Sequence, residues 1–259
     1  MIKKYRFLIA RRITQISIMV LYVIANLFGI NILMGNLSSS LVLNTIPLSD
    51  PYAVLQMFFA GAVISFDILL GAFFILIFYM ILGGRAFCSW VCPVNIITDF
   101  ANYLRKKFGF NQIQKKQPAS RNIRYWIIAI SFIISFLMGI TAFELISPIS
   151  MVHRGIIFGM GFGWAVISII FLFDLFVLKN GWCGHICPLG GFYSLIGRFS
   201  FLRVHHNAQN CTACMKCKEI CPENQVLHMI TKTSMPVLSG ECTNCGRCVE
   251  VCDDNALNF

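Results

Sequence analysis

Four long apolar segments constrain the fold of this chain more than any other feature. Each segment is bounded by proline, glycine or a cluster of charged residues. A helix of about 20 residues crosses the hydrocarbon core of a bilayer, which is about 30 Å thick. The segments therefore predict a mainly α-helical, polytopic membrane protein with four transmembrane helices. They cover residues 13–34, 62–82, 126–146 and 155–178.

The composition agrees with a membrane protein. Apolar residues make up 57% of the chain and charged residues only 12%, whereas about a quarter of the residues in an ordinary soluble domain are charged. The net charge is +10, but Lys and Arg occur in blocks between the apolar segments, as they do in the cytoplasmic loops of membrane proteins. We therefore exclude nucleic acid as a partner and expect membrane lipid around the apolar segments.

The same blocks of basic residues predict the orientation in the membrane. They precede the first segment and fill the loop between the second and third, whereas the loop 38–61 has none and the next outer loop has only Arg154. Both termini and the middle loop are therefore expected to be cytoplasmic. The first segment is longer than the apolar region of a signal peptide and is expected to remain uncleaved. The basic residues are Lys3, Lys4, Arg6, Arg11, Arg12, Arg85, Arg105, Lys106, Lys107, Lys115, Lys116, Arg121 and Arg124.

A short cysteine element is repeated in the chain. Residues 87–93 (FCSWVCP) follow the second apolar segment, and residues 182–188 (WCGHICP) follow the fourth. Repetition at equivalent points indicates two helical hairpins, each ending in a C-x3-C-P element. We predict a membrane domain over 1–204 and a small soluble α+β domain over 205–259.

All twelve cysteines fall in segments assigned to the cytoplasmic side, where structural disulfides are rare. Eight of them form two C-x2-C-x2-C-x3-C runs in the tail, a spacing typical of [4Fe–4S] ligands. The first run is Cys211, Cys214, Cys217 and Cys221, and the second is Cys242, Cys245, Cys248 and Cys252.

The tail resembles bacterial two-cluster ferredoxin domains, in which the fourth cysteine of each run ligates the other cluster. A zinc ribbon would instead show two C-x2-C pairs separated by a longer spacer. His205 and His206, at the start of the tail, are interpreted as linker residues. The predicted ligand sets are Cys211, Cys214, Cys217 and Cys252 for one cluster, and Cys242, Cys245, Cys248 and Cys221 for the other.

The cysteines of the C-x3-C-P elements leave several interpretations open. They would bind a metal, cycle between dithiol and disulfide, or shape a quinone pocket. Alternatively, they pack the start of a helix that the proline opens. Duplication of the element favours a functional role. The four residues are Cys88, Cys92, Cys183 and Cys187.

Three carboxylates lie inside the apolar segments, where a charge is costly and usually functional. Asp67, Glu144 and Asp174 are therefore candidate catalytic residues, and His153 lies in the neighbouring outer loop. A carboxylate or imidazole of this kind can accept protons in a redox reaction. The alternative is a side chain near a helix end that reaches interfacial water. Small residues at four-residue spacing predict close helix packing in the fourth segment; they are Gly155, Gly159 and Gly163.

Taken together, four spans, two C-x3-C-P elements and a C-terminal pair of C-x2-C-x2-C-x3-C runs resemble the NapH family over nearly the whole chain. The similar NosH proteins are the near alternative. The resemblance implies a component of a quinol dehydrogenase in the bacterial inner membrane. It would oxidise menaquinol or ubiquinol and pass electrons through two [4Fe–4S] clusters toward a periplasmic nitrate or nitrous oxide reductase. The implied partner is a periplasmic ferredoxin of the NapG or NosG type.

One residue departs from the family pattern. Asp253 follows the second run, at the place where Pro222 follows the first. Proline there shapes the loop and does not ligate, so both clusters are still expected.

Two other functions remain open. The wider group that the chain resembles includes CcoG-like proteins, which implies a membrane factor for assembly or maturation of a respiratory metalloenzyme. A membrane anchor with purely structural clusters is the third interpretation.

Overall fold

The computed structural model describes residues 5–29, 33–43, 45–109, 120–159, 161 and 163–259. Most of these residues are helical. The α-helices are α1 (Arg6–Phe28), α2 (Pro51–Phe59), α3 (Phe66–Leu82), α4 (Ala86–Trp90), α5 (Val94–Lys107), α6 (Ile123–Met138), α7 (Ala142–Ile146), α8 (Pro148–Phe158), α9 (Gly163–Leu172), α10 (Pro188–Ile196), α11 (Lys216–Ile220) and α12 (Arg247–Glu250). Phe173–Val177 and Trp182–Ile186 are π-helical, and Gly197–Phe199 and Asn224–Leu227 are 3₁₀-helical.

The strands form small antiparallel sheets. In one sheet β1 (Leu33–Gly35), β2 (Ser39–Val42) and β3 (Ile46–Ser49) follow one another as a meander, with Ser40 opposite Leu48. In the other sheet β4 (His205–His206) lies between β5 (Met235–Pro236) and β6 (Leu257–Asn258).

The chain divides into two compact units. The tail unit consists of Phe78–Val91, Tyr193–Phe259 and the described part of Met1–Gln15. The helical unit consists of the described parts of Ile16–Ile77 and Cys92–Phe192. The tail unit therefore contains α4 and Cys88 in addition to both cysteine runs.

The tail unit has its own apolar core beside the β5–β4–β6 sheet. Val204, Leu227 and Ile230 are almost fully buried there. Cys217, Cys221 and Cys248 belong to the same cluster of buried residues. The cysteine runs thus form part of the core, so the stability of the core is expected to depend on the group that the thiols bind.

In the helical unit, Tyr52 holds several helices together. Asp50 accepts a hydrogen bond from the Tyr52 amide, and Pro51 is the first residue of α2; both are common at helix starts. The Tyr52 hydroxyl lies 2.6 Å from Ser131 Oγ on α6. Its ring contacts three other rings, and 1% of its surface is exposed. Those rings are Phe132, Phe143 and Phe192.

The helix lengths do not confirm four membrane spans. Within the described residues, only α1 has both the length and the hydropathy of a span, with 23 residues and a mean hydropathy of 1.6. The helices α3, α6 and Gly163–Val177 are apolar but shorter than 18 residues. Of the basic residues used for the predicted orientation, Lys3, Lys4, Lys115 and Lys116 lie outside the described residues.

The predicted segments differ from the observed helices at their ends and at two glycines. The first helix begins at Arg6 and not at residue 13, because Arg is a good helix former and the helix runs through the basic residues. Within 126–146, Gly139 takes a left-handed conformation (φ +64°) and ends α6. Within 155–178, Gly159 (φ +94°) ends α8, and a new helix begins at Gly163. Both of these predicted continuous spans are therefore interrupted.

The segment 38–61, interpreted from the sequence as an exposed loop with a short interfacial helix, contains the short helix α2 and also the strands β2 and β3, which were not predicted. Two smaller predictions were wrong. His205 and His206 are not linker residues but form the central strand of the tail sheet, and the His206 Nδ1 lies 2.8 Å from the Thr233 carbonyl oxygen. Gly159 does not continue a helical stripe, because the helix ends there.

Candidate iron–sulfur centres and the C-x3-C-P elements

One cavity in the tail unit is lined by cysteines from both runs. It encloses about 320 Å³ of space between atoms, and Ile230, Val251 and Leu257 form part of its apolar wall. Three of its cysteines belong to the first run and the fourth is the last of the second run. They are Cys211, Cys214, Cys217 and Cys252.

A second cavity in the same unit has the complementary set. It encloses about 370 Å³, and Val226, Leu227 and Val237 line it together with Glu223 and Arg247. Its cysteines are Cys242, Cys245, Cys248 and Cys221. Each cavity is thus lined by the first three cysteines of one run and the fourth of the other, which are the two groups of four that the resemblance to two-cluster ferredoxins implies.

The two cysteine loops share an uncommon backbone conformation. The second and fourth residues after the first cysteine have positive φ in both loops: Ala213 (60°) and Met215 (59°), then Asn244 (46°) and Gly246 (72°). Left-handed residues among right-handed ones turn successive N–H groups toward one point, and such concavities bind anions, iron–sulfur clusters among them. In the second loop the Cys242 thiol donates to Asn244 Oδ1 at 3.3 Å.

Burial raises the free energy of the thiolate form of these cysteines unless a nearby positive charge compensates. It raises the pKa of Cys242 to about 11 and raises the pKa of Cys248 well above its ordinary value. Iron ions would supply that charge and displace the protons. Four thiols line each cavity, which is the number of cysteine ligands that a [4Fe–4S] cluster takes from the protein.

The loop of the second cavity is attached to α4, the helix that carries Cys88. Ser89 Oγ donates to the Thr243 carbonyl at 2.7 Å, and Trp90 Nε1 donates to the Asn244 carbonyl at 3.1 Å. Asn244 Nδ2 in turn donates to the Leu82 carbonyl at 2.8 Å. A side chain at residue 83 would collide with that amide, so this position requires glycine.

An ion pair adds to this attachment. Arg85 and Glu223 are both almost fully buried, and Arg85 Nη1 lies 2.7 Å from Glu223 Oε1. The same nitrogen donates to the Glu241 carbonyl at 3.0 Å, directly before Cys242. Breaking such a pair strands a buried charge. Arg85 therefore joins the start of α4 to the second cysteine loop.

The first helix also contacts the second loop. Glu250, at the end of α12, accepts hydrogen bonds from the backbone amides of Phe7 and Leu8, the latter at 3.0 Å. These amides lie in the first turn of α1, where no carbonyl of the helix itself can accept them. The Phe7 ring also packs against Gly246.

The first cysteine loop is more open. Cys214 is exposed. Lys216 pairs with Asp253 at 2.9 Å, and both side chains are more than half exposed. Asp253 therefore makes a surface contact at the place where a proline was expected, and the wall of the cavity remains complete beside it.

The C-x3-C-P cysteines share one pattern of burial. The first of each element, Cys88 and Cys183, is partly buried, and the second, Cys92 and Cys187, is buried just before a proline. Cys88 belongs to the tail unit and the other three to the helical unit. A joint site for all four remains a prediction.

Asp174 organises the second element. Its Oδ1 accepts from the Trp182 amide at 3.0 Å, in the π-helical turn that holds Cys183. On its other side, Arg105 Nη1 donates to the carbonyls of Asp174 and Leu175. Asp174 is fully buried, and its Oδ2 accepts no hydrogen bond from the described residues. The structure therefore places this predicted catalytic residue at the base of a cysteine element.

The other predicted carboxylates have different surroundings. Asp67 is exposed in the first turn of α3. Glu144 Oε1 accepts from Ser38 Oγ at 2.7 Å and from Ser150 Oγ at 2.6 Å.

His153 is buried against the Tyr22 ring, at 4.7 Å between centroids. Burial, with the charge of Arg154, lowers the pKa of His153.

Several residues that organise the cysteines were missed from the sequence. Arg85 and Arg105 were counted only as basic loop residues, and the hydrogen bonds of Ser89, Trp90 and Asn244 were not predicted. The only sequence feature that points to this attachment is the presence of two side-chain hydrogen-bond donors, Ser89 and Trp90, inside the first element. Their partners lie about 150 positions away, so no local pattern identifies them.

Family models match three stretches of the chain. A model described as a 4Fe-4S binding domain matches residues 57–111 and again residues 160–205. A model described as a 4Fe-4S dicluster domain matches residues 203–253. The double match agrees with the internal repeat, since each matched stretch contains one C-x3-C-P element. The chain therefore contains 4Fe-4S binding domains.

Curated relatives match most of the chain. The methylamine utilization ferredoxin-type protein MauN of Methylorubrum extorquens is 42% identical over 93% of this chain and 84% of its own length. Ferredoxin-type proteins NapH are 42% identical in Haemophilus influenzae, over 86% of this chain and 77% of that protein, and 41% identical in Escherichia coli, over 87% and 78%. No solved structure matches the chain significantly. The chain thus belongs to the NapH family of ferredoxin-type iron–sulfur electron-transport proteins, together with the similar MauN proteins.

Proposed function

We propose that this protein is the membrane component of a quinol dehydrogenase. It would take electrons from menaquinol or ubiquinol and pass them toward a periplasmic reductase through a partner ferredoxin of the NapG or NosG type. The observation that carries the proposal is the pair of cavities, each lined by four cysteines of a dicluster domain, in one chain with an apolar helix of spanning length and several shorter apolar helices.

The exposed faces of the helices support a membrane location. Phe73 and Phe74 on α3 and Phe136 and Leu137 on α6 are each more than half exposed. Large contiguous apolar surfaces are rare on soluble monomers and mark contact with lipid or protein. In this proposal they face the acyl chains of the inner membrane.

The short helices are compatible with spanning. The 17 residues of α3 extend about 25 Å, slightly less than the hydrocarbon core of about 30 Å. A bilayer adapts to a short span by thinning locally at a modest cost. We therefore keep four spans, with both termini on the cytoplasmic side, as part of the proposal.

Quinol oxidation releases two electrons and two protons. A [4Fe–4S] cluster carries one electron, so a dicluster domain has capacity for both. Glu144 is the carboxylate best placed to accept a proton, because two hydroxyls already fix its orientation through Oε1. Asp67 is exposed at the start of α3 and is the second candidate.

The same role fits more than one pathway. NapH and MauN relatives match this chain at nearly equal identity. In either case the substrate of the terminal enzyme does not contact this chain, so the proposed chemistry is quinol oxidation.

The test uses full-length protein, purified without oxygen and placed in lipid nanodiscs. We expect dithionite to reduce both clusters, and a menaquinol or ubiquinol analogue to produce the same electron paramagnetic resonance (EPR) signals. Glu144→Gln should slow reduction by quinol by about tenfold or more and leave reduction by dithionite unchanged. Clusters that dithionite reduces but no quinol does would overturn the proposal. In that case, a terminal enzyme that lacks its metal in a deletion strain would indicate a maturation factor.

A further inference from the structure

Two residues inside the first C-x3-C-P element donate to the second cysteine loop. Ser89 and Trp90 lie between Cys88 and Cys92, and their donor groups reach two consecutive carbonyls of the loop, those of Thr243 and Asn244. Ser89 is buried, and its oxygen also lies 3.3 Å from the Ala86 carbonyl within α4. Gln15 Nε2 donates to the Ser89 carbonyl at 3.1 Å and holds this residue from the side of α1.

The Ser89 hydrogen bond acts on a peptide group of the cysteine loop. The Thr243 carbonyl accepts from Ser89, and the N–H of the same peptide group is that of Asn244, one of the left-handed residues in a loop conformation that turns N–H groups toward the cavity. Hydrogen bonds that share a peptide group polarise one another. The Ser89 hydroxyl therefore makes the Asn244 N–H a stronger donor toward the candidate cluster.

The equivalent peptide groups of the first loop have no such donor. Thr212 and Ala213 occupy the positions of Thr243 and Asn244, and in the described part of the chain no side chain donates to their carbonyls. The nearby charges do not distinguish the two loops, because each is paired. Lys216 pairs with Asp253 beside the first loop, and Arg85, near Cys242, pairs with Glu223.

These differences bear on the reduction potential. Hydrogen bonds to the sulfurs, net charge and solvent exposure set the potential of an iron–sulfur cluster. Burial alone would disfavour the extra negative charge of a reduced cluster in the second cavity. The polarised peptide groups act in the opposite direction.

We propose that Ser89 and Trp90 are positioning residues for the second cluster, the one held by Cys242, Cys245, Cys248 and Cys221. By polarising two peptide groups of its loop, they raise its reduction potential above that of the first cluster. The second cluster is then reduced first. One electron enters it from the reductant, which is oxidised by one electron, and no bond forms or breaks. The inference rests on the proposed electron-transfer function, but its test does not require a quinol.

The experiment is a potentiometric titration with dithionite, followed by EPR, on the full-length protein in detergent. Ser89→Ala, Trp90→Phe and the double variant are compared with wild type. We expect the reduction potential of the second cluster to fall, most in the double variant, while the reduction potential of the first cluster stays constant. Ser89→Thr keeps the hydroxyl and should restore the wild-type potential. Thr212→Val, at the equivalent position of the first loop, is the matched control and should not move the second cluster.

Cys248→Ser and Cys217→Ser identify which EPR signal belongs to which cluster, because serine ligation alters the signal of its own cluster. Potentials that do not move, that move equally in both clusters, or that move only in the first cluster would each overturn the inference.

Iron and sulfide content is measured for every variant. If the double variant loses iron, comparing the second cluster's reduction potential in Ser89→Ala with that in Ser89→Thr still shows whether the hydroxyl raises it. Failure of quinol to reduce either cluster would count against the proposed function and leave the potential shifts standing.

Discussion

The two C-x3-C-P elements come from a repeated segment, yet different neighbours hold them. The first is α-helical and is tied to a cysteine loop of the tail unit through Arg85, Ser89 and Trp90. The second is π-helical and is held within the helical unit by Asp174, which accepts from the Trp182 amide. The cysteine spacing and the burial pattern are the same in both.

The comparison distinguishes features that come with the cysteine spacing from hydrogen bonds that depend on the neighbouring residues. Both elements expose the first cysteine partly, bury the second and open a helix with proline. The first element donates side-chain hydrogen bonds to the loop of a candidate cluster site through Ser89 and Trp90, whereas Asp174 holds the turn of the second element. The duplicated elements therefore share a cysteine spacing and a burial pattern but differ in these contacts.

The largest expected effect comes from the glycines before the elements. A Cβ at residue 84 would overlap the backbone of Tyr193 and Gly197, which cannot move aside. We expect Gly84→Ala to destabilise the protein by more than about 5 kcal/mol, so that folded protein does not accumulate. Gly181→Ala is the matched change in the second element. Its Cβ would meet the ring of Phe173, which can rotate, so a loss of about 1–3 kcal/mol is expected.

Thermal unfolding in detergent and the yield of folded protein measure both glycine effects. Equal losses for the two variants would show that the first element is not packed more tightly than the second.

The next effect comes from the ion pair that joins α4 to the tail. Arg85→Met leaves the Glu223 carboxylate buried without its cation and should cost about 3–5 kcal/mol. The double variant Arg85→Met/Glu223→Gln removes the stranded charge and should recover most of that loss. Denaturant unfolding of the iron-loaded protein measures the difference. A double variant no more stable than Arg85→Met would contradict the ion-pair explanation.

The smallest effect is expected at Asp174. Asp174→Ala removes the acceptor of the Trp182 amide and should cost about 1–3 kcal/mol, whereas Asp174→Asn keeps an oxygen there and should cost less. Because the turn holds Cys183, its thiol should react faster with an alkylating reagent in the alanine variant. Cys88, in the other element, serves as the internal control. Acceleration of both thiols would mean that the effect is not local.

The sequence predicted the parts of the candidate site that depend on spacing. Each C-x2-C-x2-C stretch specifies a tight loop, so the grouping of Cys211, Cys214 and Cys217 follows from local geometry, whereas Cys252 was added to this group only through the resemblance to two-cluster ferredoxins. The repeat of the C-x3-C-P element was also readable, because two copies of one pattern occur at equivalent places.

The sequence did not predict features that depend on distant partners or on single backbone angles. Hydropathy averages over Gly139 and Gly159, so it predicts continuous helices where positive φ ends them. His206 forms a strand only because residues 235–236 and 257–258 pair with it. Arg85 and Glu223 are 138 positions apart, and a count of loop charges cannot pair them.

The hydrogen bonds from the α1 amides to Glu250 have a consequence for biosynthesis. Phe7 and Leu8 leave the ribosome 242 or more residues before Glu250 does. At about 5–20 residues per second, their amides wait on the order of 12 to 50 s for that acceptor. The first turn of α1 is therefore completed by a residue that is synthesised more than 240 positions later, and truncation before Glu250 would leave these two amides without that acceptor.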